Sequence, residues 1–167
     1  MPAWYDITHP DLALGEDETG IRSSQREIEK LIQQEISRGI PAQRILLAGF
    51  SQGGAIALQT GLRYAKRLGG IIALSTYLPL KSSLGQETAF SQNIPIFMAH
   101  GSFDDVIPLQ SAANSRTLLE EAGYTVQWHE YAMPHSVCAE EIEDISLWLQ
   151  HVLNPGLALT AATENQP

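Results

Sequence analysis

The sequence is poor in three things: cysteine, basic residues and long apolar runs. Its 167 residues include a single cysteine, so an intrachain disulfide cannot form, and a reducing compartment, the cytoplasm, is expected. Lys and Arg total 10 against 19 Asp and Glu, a formal net charge of -9. With no basic patch to offset this charge, nucleic acid is not an expected partner. No apolar run approaches the roughly 18 residues of a membrane helix, and the N-terminus lacks a basic segment followed by an apolar one. Neither stable membrane insertion nor a signal peptide is therefore expected.

The apolar residues, 44% of the chain, form short runs that alternate with segments of helical periodicity. We predict strands at 45–50, 71–74, 94–99 and 125–131. The first three are uninterrupted apolar runs, typical of strands buried on both faces of a parallel sheet. Helices are predicted to begin at Ser24, by its capping-box spacing to Glu27, and after residues 51, 108 and 139. The pattern predicts an α/β fold, with a mostly parallel sheet flanked by helices in one domain over 1–154 and a flexible tail at 155–167.

A serine lies where the first predicted strand meets the following helix. Residues 49–53 read Gly-Phe-Ser-Gln-Gly, a G-x-S-x-G motif. At a sharp strand-to-helix turn this motif presents the Ser51 hydroxyl above the sheet, and Gly49 and Gly53 let strand and helix approach. The helix N-terminus behind the serine favours developing negative charge. The motif in this context predicts a nucleophile; the alternative is a glycine-rich turn with an incidental serine.

An acid and a histidine follow two later strands. The third predicted strand runs into Asp104 and Asp105, and the fourth runs into His135. Because the carboxyl ends of parallel strands meet at one edge, these side chains are expected near Ser51. A serine hydroxyl needs a base to take its proton and a third group to orient that base. The order Ser, Asp, His is the one this architecture uses, and it outweighs the alternative that these residues only cap helices.

Six segments spread over the first 150 residues share one family pattern: Trp4–Asp6, Gly49–Gly54, Leu74–Pro79, His100–Pro108, Met133–Val137 and Glu141–Leu149. With these segments the chain resembles the carboxylesterase, lysophospholipase and acyl-protein thioesterase family of α/β-hydrolases. The resemblance implies an α/β-hydrolase fold and a small acyl ester or thioester as substrate. It also implies Ser51 as nucleophile, His135 as general base and Asp104 as the acid that orients it. Asp104 is preferred to Asp105 because the family's acid stands three residues after the glycine of the His-Gly pair.

The chain also departs from the family pattern. The family opens with further strands and a His-Gly-rich loop that supplies one of two oxyanion amides, and no such loop is present here. We therefore expect an N-terminally truncated domain that retains about four strands, with the Gln52 N–H as the remaining oxyanion donor. Pro134 stands where glycine is usual. Tyr77 and Leu78 either line the acyl site or form the top of the core, and the sequence leaves both open.

Three functional hypotheses follow. The first is a serine esterase or thioesterase that works through an acyl-enzyme. The second is a catalytically weak or inactive fragment of such an enzyme, which self-associates or forms a homodimer through the open edge of the strand at 45–50. The third is a phospho-accepting receiver domain, disfavoured because its acidic pair would follow the first strand and a lysine would stand where His135 does. No histidine or carboxylate pair has convincing metal spacing, so neither a metal nor another cofactor is expected.

Overall fold

The computed structural model describes residues 3–7, 15–87 and 93–154, and the tail predicted at 155–167 lies outside the described residues. Helices and strands alternate along the chain, with short 3-10 turns at Ala42–Arg44 and Lys81–Ser83. No described helix combines the length and apolar character that crossing a bilayer requires. The longer elements are α1 (Glu18–Ser37), β1 (Leu46–Phe50), α2 (Gln52–Arg63), β2 (Gly70–Leu74), α3 (Leu84–Glu87), β3 (Ile96–Gly101), α4 (Leu109–Glu121), β4 (Val126–Tyr131) and α5 (Ala139–Leu153).

The four strands form one parallel sheet in the order β1-β2-β3-β4. This confirms the predicted parallel sheet flanked by helices. The register aligns Phe50 with Leu74, Leu74 with Ala99, and Ala99 with His129. β3 and β4 then continue for two more residues, to Gly101 and Tyr131. All four strands therefore end at one edge, where side chains from distant parts of the sequence can meet.

The two faces of the sheet are covered unequally. On one face, Ile71, Met98 and their neighbours pack under α1, α2 and α4 in the main core cluster. On the other, Ile72 and Phe97 pack against Trp148 of α5. This alternation is the period-2 pattern of strands, and it leaves α5 to cover the second face among the described elements.

β1 corrects one expectation. Its apolar sequence predicted burial on both faces, but Ala48 and Phe50 are exposed and the other three residues are half-buried. Within the described residues β1 has a strand neighbour on one side only, and Leu46 is the residue of β1 that packs against the cluster containing Trp148 of α5. An apolar run thus indicates a strand. Whether that strand is buried depends on the strands and helices around it, about which the run itself carries no information.

α1 begins six residues earlier than the capping-box spacing predicted. Asp17 is its N-cap, with a side-chain oxygen accepting the Gly20 N–H at 2.9 Å. Ser24 lies inside the helix, and its hydroxyl donates to the Trp4 carbonyl. Glu16 accepts the Leu80 N–H at 2.9 Å and so links the start of α1 to the segment that follows β2.

Candidate active site

Ser51 occupies the turn between β1 and α2 in a strained backbone conformation, with φ 55° and ψ -125°. A positive φ is unfavourable for any residue with a side chain, so the surrounding contacts must hold it. The Ser51 N–H donates to the Leu74 carbonyl at 2.9 Å, and the Thr76 hydroxyl donates to the Ser51 carbonyl at 2.7 Å. The end of β2 therefore fixes the turn from both sides of the serine.

Glycine is required at two positions of this turn. A Cβ at Gly49 would collide with the Gly53 backbone, and one at Gly54 would lie 2.8 Å from both the Gly49 carbonyl oxygen and a Thr76 methyl group. A Cβ at Gly53 would lie 3.7 Å from the Trp4 indole nitrogen, an ordinary contact. The close approach of strand and helix therefore depends on Gly49 and Gly54, whereas the motif had predicted Gly49 and Gly53.

Gln52 is the first residue of α2, where backbone N–H groups have no intrahelical acceptor. Its side chain has a contact that sequence reasoning missed. The Gln52 amide oxygen accepts the Trp4 N–H at 3.3 Å, and the amide nitrogen donates to the Tyr5 carbonyl at 3.1 Å. The segment 3–7 is thereby attached beside the serine turn. The Trp4–Asp6 segment of the family pattern was the signal that could have suggested this contact.

Asp104 is held by three hydrogen bonds in the loop that follows β3. One carboxylate oxygen accepts the N–H groups of Val106 at 2.9 Å and Ile107 at 2.8 Å, and the other accepts His135 Nδ1 at 2.7 Å. The carboxylate is inaccessible to solvent. Burial alone would raise its pKa, but the hydrogen bond from His135 and those from the two backbone amides outweigh burial and lower the pKa. The carboxylate is therefore kept charged and directed at His135.

His135 lies on the loop after β4 and reaches across the sheet edge to β1. Its ring packs on Phe50, the residue before Ser51, with 4.6 Å between centroids. The close packing of the two loops depends on Gly101, because a Cβ there would collide with the carbonyl oxygens of Met133 and Pro134. The structure thus brings Ser51, Asp104 and His135 to one edge of the sheet.

The other predicted residues lie elsewhere. Asp105 is exposed. Tyr77 is buried and its hydroxyl is 2.8 Å from that of Tyr5, while Leu78 belongs to the main core cluster. Their acyl-site role stays a prediction. Among the described residues, no three His, Cys, Asp or Glu side chains are grouped so that they could hold a metal ion.

Comparison with known proteins gives consistent matches. A family model described as phospholipase/carboxylesterase matches residues 1–153. Acyl-protein thioesterase 1 of Neurospora crassa is 46% identical over 158 residues, which cover 89% of this chain and 64% of that protein. Acyl-protein thioesterase 1 of Gibberella zeae is 39% identical over 164 residues, covering 93% and 70%. Among solved structures, Arabidopsis thaliana SOBER1 has a TM-score of 0.86 at 29% identity, covering 92% of this chain and 75% of that one.

The chain thus spans less than two thirds of the Neurospora protein, while almost all of its own length is matched. The family model covers well over half of the chain, and the fold and the serine turn described above agree with it. The chain belongs to the phospholipase/carboxylesterase family of α/β-hydrolases.

Proposed function

We propose that this chain hydrolyses small acyl esters or thioesters through a Ser51–His135–Asp104 triad and an acyl-enzyme intermediate. One observation carries the proposal: a strained serine turn and a buried His135–Asp104 pair meet at the same edge of the sheet. The names of the fungal relatives, acyl-protein thioesterase 1, support including thioesters among the substrates.

In the proposed reaction the Ser51 Oγ attacks the acyl carbonyl carbon while His135 Nε2 takes the hydroxyl proton. The Nδ1–H bond to Asp104 holds the imidazole in the tautomer that leaves Nε2 free to act as the base. The tetrahedral intermediate expels the alcohol or thiol, which takes the proton from His135. A water molecule, activated by the same imidazole, then releases the carboxylic acid. Ser51 has no hydrogen bond to His135 in the described structure, so that contact is expected to form when substrate binds.

The oxyanion would be stabilised first by the Gln52 N–H at the start of α2. The first N–H groups of a helix have no internal acceptor and carry partial positive charge, which suits a developing negative oxygen. Loss of one oxyanion donor typically costs about 10²–10³ in rate.

The surroundings of the triad favour an acyl group over a polar one. Four exposed apolar side chains lie next to triad residues or on the loops that carry them: Phe50, Phe103, Val106 and Val137. Phe103 and Val106 are the most exposed, at 69% and 60%. Exposed apolar surface around a reactive centre favours binding of hydrocarbon.

A fluorophosphonate probe with peptide mapping tests the proposal, because the probe reacts with an activated serine and the label can be assigned to one residue. Label is expected on Ser51 and should be absent from Ser51→Ala. Ser102→Ala, which removes an exposed serine at the same edge, is the matched control and should label normally. Hydrolysis of short-chain p-nitrophenyl esters and of a matched thioester would then give the substrate class. Label that persists in Ser51→Ala would refute the assignment.

A further inference from the structure

His100 is a fully buried histidine directly behind Asp104, and the reaction proposed above makes no use of it. It is the penultimate residue of β3, four residues before Asp104, and its side chain points into the loop that carries the acid. Its Nε2 lies 2.8 Å from the Ile107 carbonyl oxygen and 3.2 Å from an Asp104 carboxylate oxygen. That carboxylate oxygen is the one that accepts His135 Nδ1.

These contacts decide where the His100 proton lies. A carbonyl oxygen can only accept, so Nε2 must carry the hydrogen that it donates to Ile107. Nδ1 is buried and has no hydrogen-bond partner within the described residues. A proton on Nδ1 would therefore be a buried donor without an acceptor, which is costly. The geometry selects the Nε2–H tautomer.

With that tautomer, His100 braces the acid loop at two points. Ile107 donates its N–H to one Asp104 oxygen at 2.8 Å, and its carbonyl accepts from His100. The His100 N–H also lies against the second Asp104 oxygen, opposite His135. Rotation of the carboxylate away from His135 would therefore break contacts on both sides of the loop.

We propose that His100 is a positioning residue for Asp104, and through Asp104 for the imidazole of His135. The inference rests on the proposed function, since it gives His100 a role in the same triad. His100 touches neither the substrate nor Ser51 in this role. Misplacement of a catalytic group by about 1 Å can cost on the order of 10²-fold, so loss of the brace should cost about 10–100-fold in the reactivity of Ser51.

Two substitutions separate positioning from packing. His100→Gln keeps an N–H donor near the position of Nε2, whereas His100→Met fills the space without a donor. We expect His100→Met to label with fluorophosphonate about 10–100-fold more slowly, and His100→Gln to stay within about threefold of the wild type. His129→Met, which removes a histidine beside a different aspartate, is the control and should label at the wild-type rate.

A second readout requires no catalysis. The proton between His135 Nδ1 and Asp104 should give a strongly downfield proton resonance, present in the wild type and His100→Gln but lost or broadened in His100→Met. In the wild type, nitrogen-15 spectra should show His100 as the Nε2–H tautomer. A wild type that shows this resonance but does not label Ser51 would refute the proposed function and leave the brace standing.

Three outcomes would overturn the brace itself. The first is a His100→Met variant with unchanged labelling and resonance. The second is a folded His100→Gln that is as defective as His100→Met. The third is an Nδ1–H tautomer for His100, which the wild-type spectrum decides even if His100→Met fails to fold.

Discussion

Besides the His100–Asp104 contact, two histidine–aspartate pairs on the β3–β4 side of the molecule can be compared, His135 with Asp104 and His129 with Asp144. In the first, 2.7 Å separates the atoms, and the carboxylate is inaccessible and accepts two backbone amides as well. In the second the separation is 3.3 Å, the Asp144 side chain is 36% exposed, and the same oxygen accepts the Tyr131 hydroxyl. The pairs share residue types and differ in what else holds the carboxylate.

The position of each histidine explains the rest of the difference. His129 lies within β4, where its ring stacks between Phe97 and Tyr131 and is fixed by the sheet. His135 lies on a loop beyond the strand end, where the ring can approach the serine turn. The position of His135 and the carboxylate held by backbone amides are the two features that suit this pair to the proposed proton transfer.

The largest expected difference between the two pairs is in kcat when each aspartate is replaced by asparagine. Asp104→Asn should lower kcat for ester hydrolysis by about 10⁴, as loss of the acid does in a related triad, because the asparagine stabilises the wrong imidazole tautomer. Asp144→Asn should change kcat by less than about threefold, since surface pairs contribute little. Steady-state hydrolysis and fluorophosphonate labelling both report the effect.

Asp105→Asn is a second control, because Asp105 is the exposed neighbour on the same loop. It should change kcat less than about tenfold, since removing a surface carboxylate has little effect. Equal losses for Asp104→Asn and Asp105→Asn, or a larger loss for Asp144→Asn, would contradict the assignment of the acid.

Gly101→Ala should push the two loops of the first pair apart, because the new methyl group would collide with the carbonyl oxygens of Met133 and Pro134. We expect labelling of Ser51 to slow by about 10²-fold, through displacement of His135 from Asp104. Gly85→Ala, where a Cβ would meet nothing within 4 Å, should label normally. If Gly101→Ala labels like Gly85→Ala, the loop contact does not position His135.

Glu141 is the opposite case to Asp104. It is a buried carboxylate with too few hydrogen-bond donors to stabilise its negative charge. Burial raises its pKa to about 6, and the Cys138 amide opposes this only in part. The protonated Glu141 therefore contributes its full stability below the pKa of the unfolded chain, 4.5. This contribution is lost as the pH rises through the pKa of the folded protein, about 6. The loss should approach about 2 kcal/mol in the free energy of unfolding.

Urea unfolding of the wild type and Glu141→Gln between pH 4.5 and 8 measures this. Glu141→Gln should abolish the decrease in the free energy of unfolding with rising pH, whereas Glu143→Gln, at an exposed position of the same helix, should leave it unchanged. For Asp104, whose pKa is lowered, the sign is reversed: its contribution is present above the unfolded pKa and is lost as the pH falls through the folded one. A wild-type stability that rises between pH 5 and 7.5, with Glu141→Gln unchanged, would contradict the Glu141 prediction.

The smallest predicted effect is on self-association, and it comes from the difference between the two edge strands of the sheet. β4 presents Gln127 and Glu130 to solvent, whereas β1 presents Ala48 and Phe50. Polar and charged residues discourage edge-to-edge pairing and apolar ones permit it, so we expect self-association through β1. Ala48→Lys should weaken that association about tenfold, and Gln127→Lys on β4 should not. Light scattering after size exclusion checks this, and a wild type that stays monomeric at all concentrations would contradict it.

Much of this fold could be predicted because the local sequence pattern of each segment indicates whether it forms a strand or a helix. Apolar runs predicted the strands, and the strands lie in the sheet in their sequence order, which is the simplest arrangement for alternating strands and helices. The exposure of β1 could not be predicted from its apolar run, because it depends on which elements flank the strand, whereas the open edge there was predicted from the family resemblance. The start of α1 was missed because Asp17 and Ser24 are both good N-cap residues; in the structure Asp17 accepts the Gly20 N–H, while the Ser24 hydroxyl donates to the Trp4 carbonyl.

The candidate site also contains residues that the sequence predicts and contacts that it does not. Ser51 is visible in the sequence because its turn needs a local motif, and His135 because it follows a strand. Choosing Asp104 over Asp105 required a family resemblance, since spacing alone allows both. The contacts of His100 with Asp104 and of Gln52 with Trp4 could not be predicted from periodicity, which does not encode hydrogen bonds between distant residues, although the family pattern at Trp4–Asp6 pointed to the second.

The described hydrogen bonds that hold Ser51 in its strained conformation come from residues between 46 and 76. Leu74 ends β2 and Thr76 lies two residues beyond it, so one β-α-β unit and the turn after it close around the strain. During synthesis, which proceeds from the N-terminus, all of these residues leave the ribosome before the loops that carry Asp104 and His135 have been translated. The serine turn therefore has its own supporting contacts at a stage when those two loops do not yet exist.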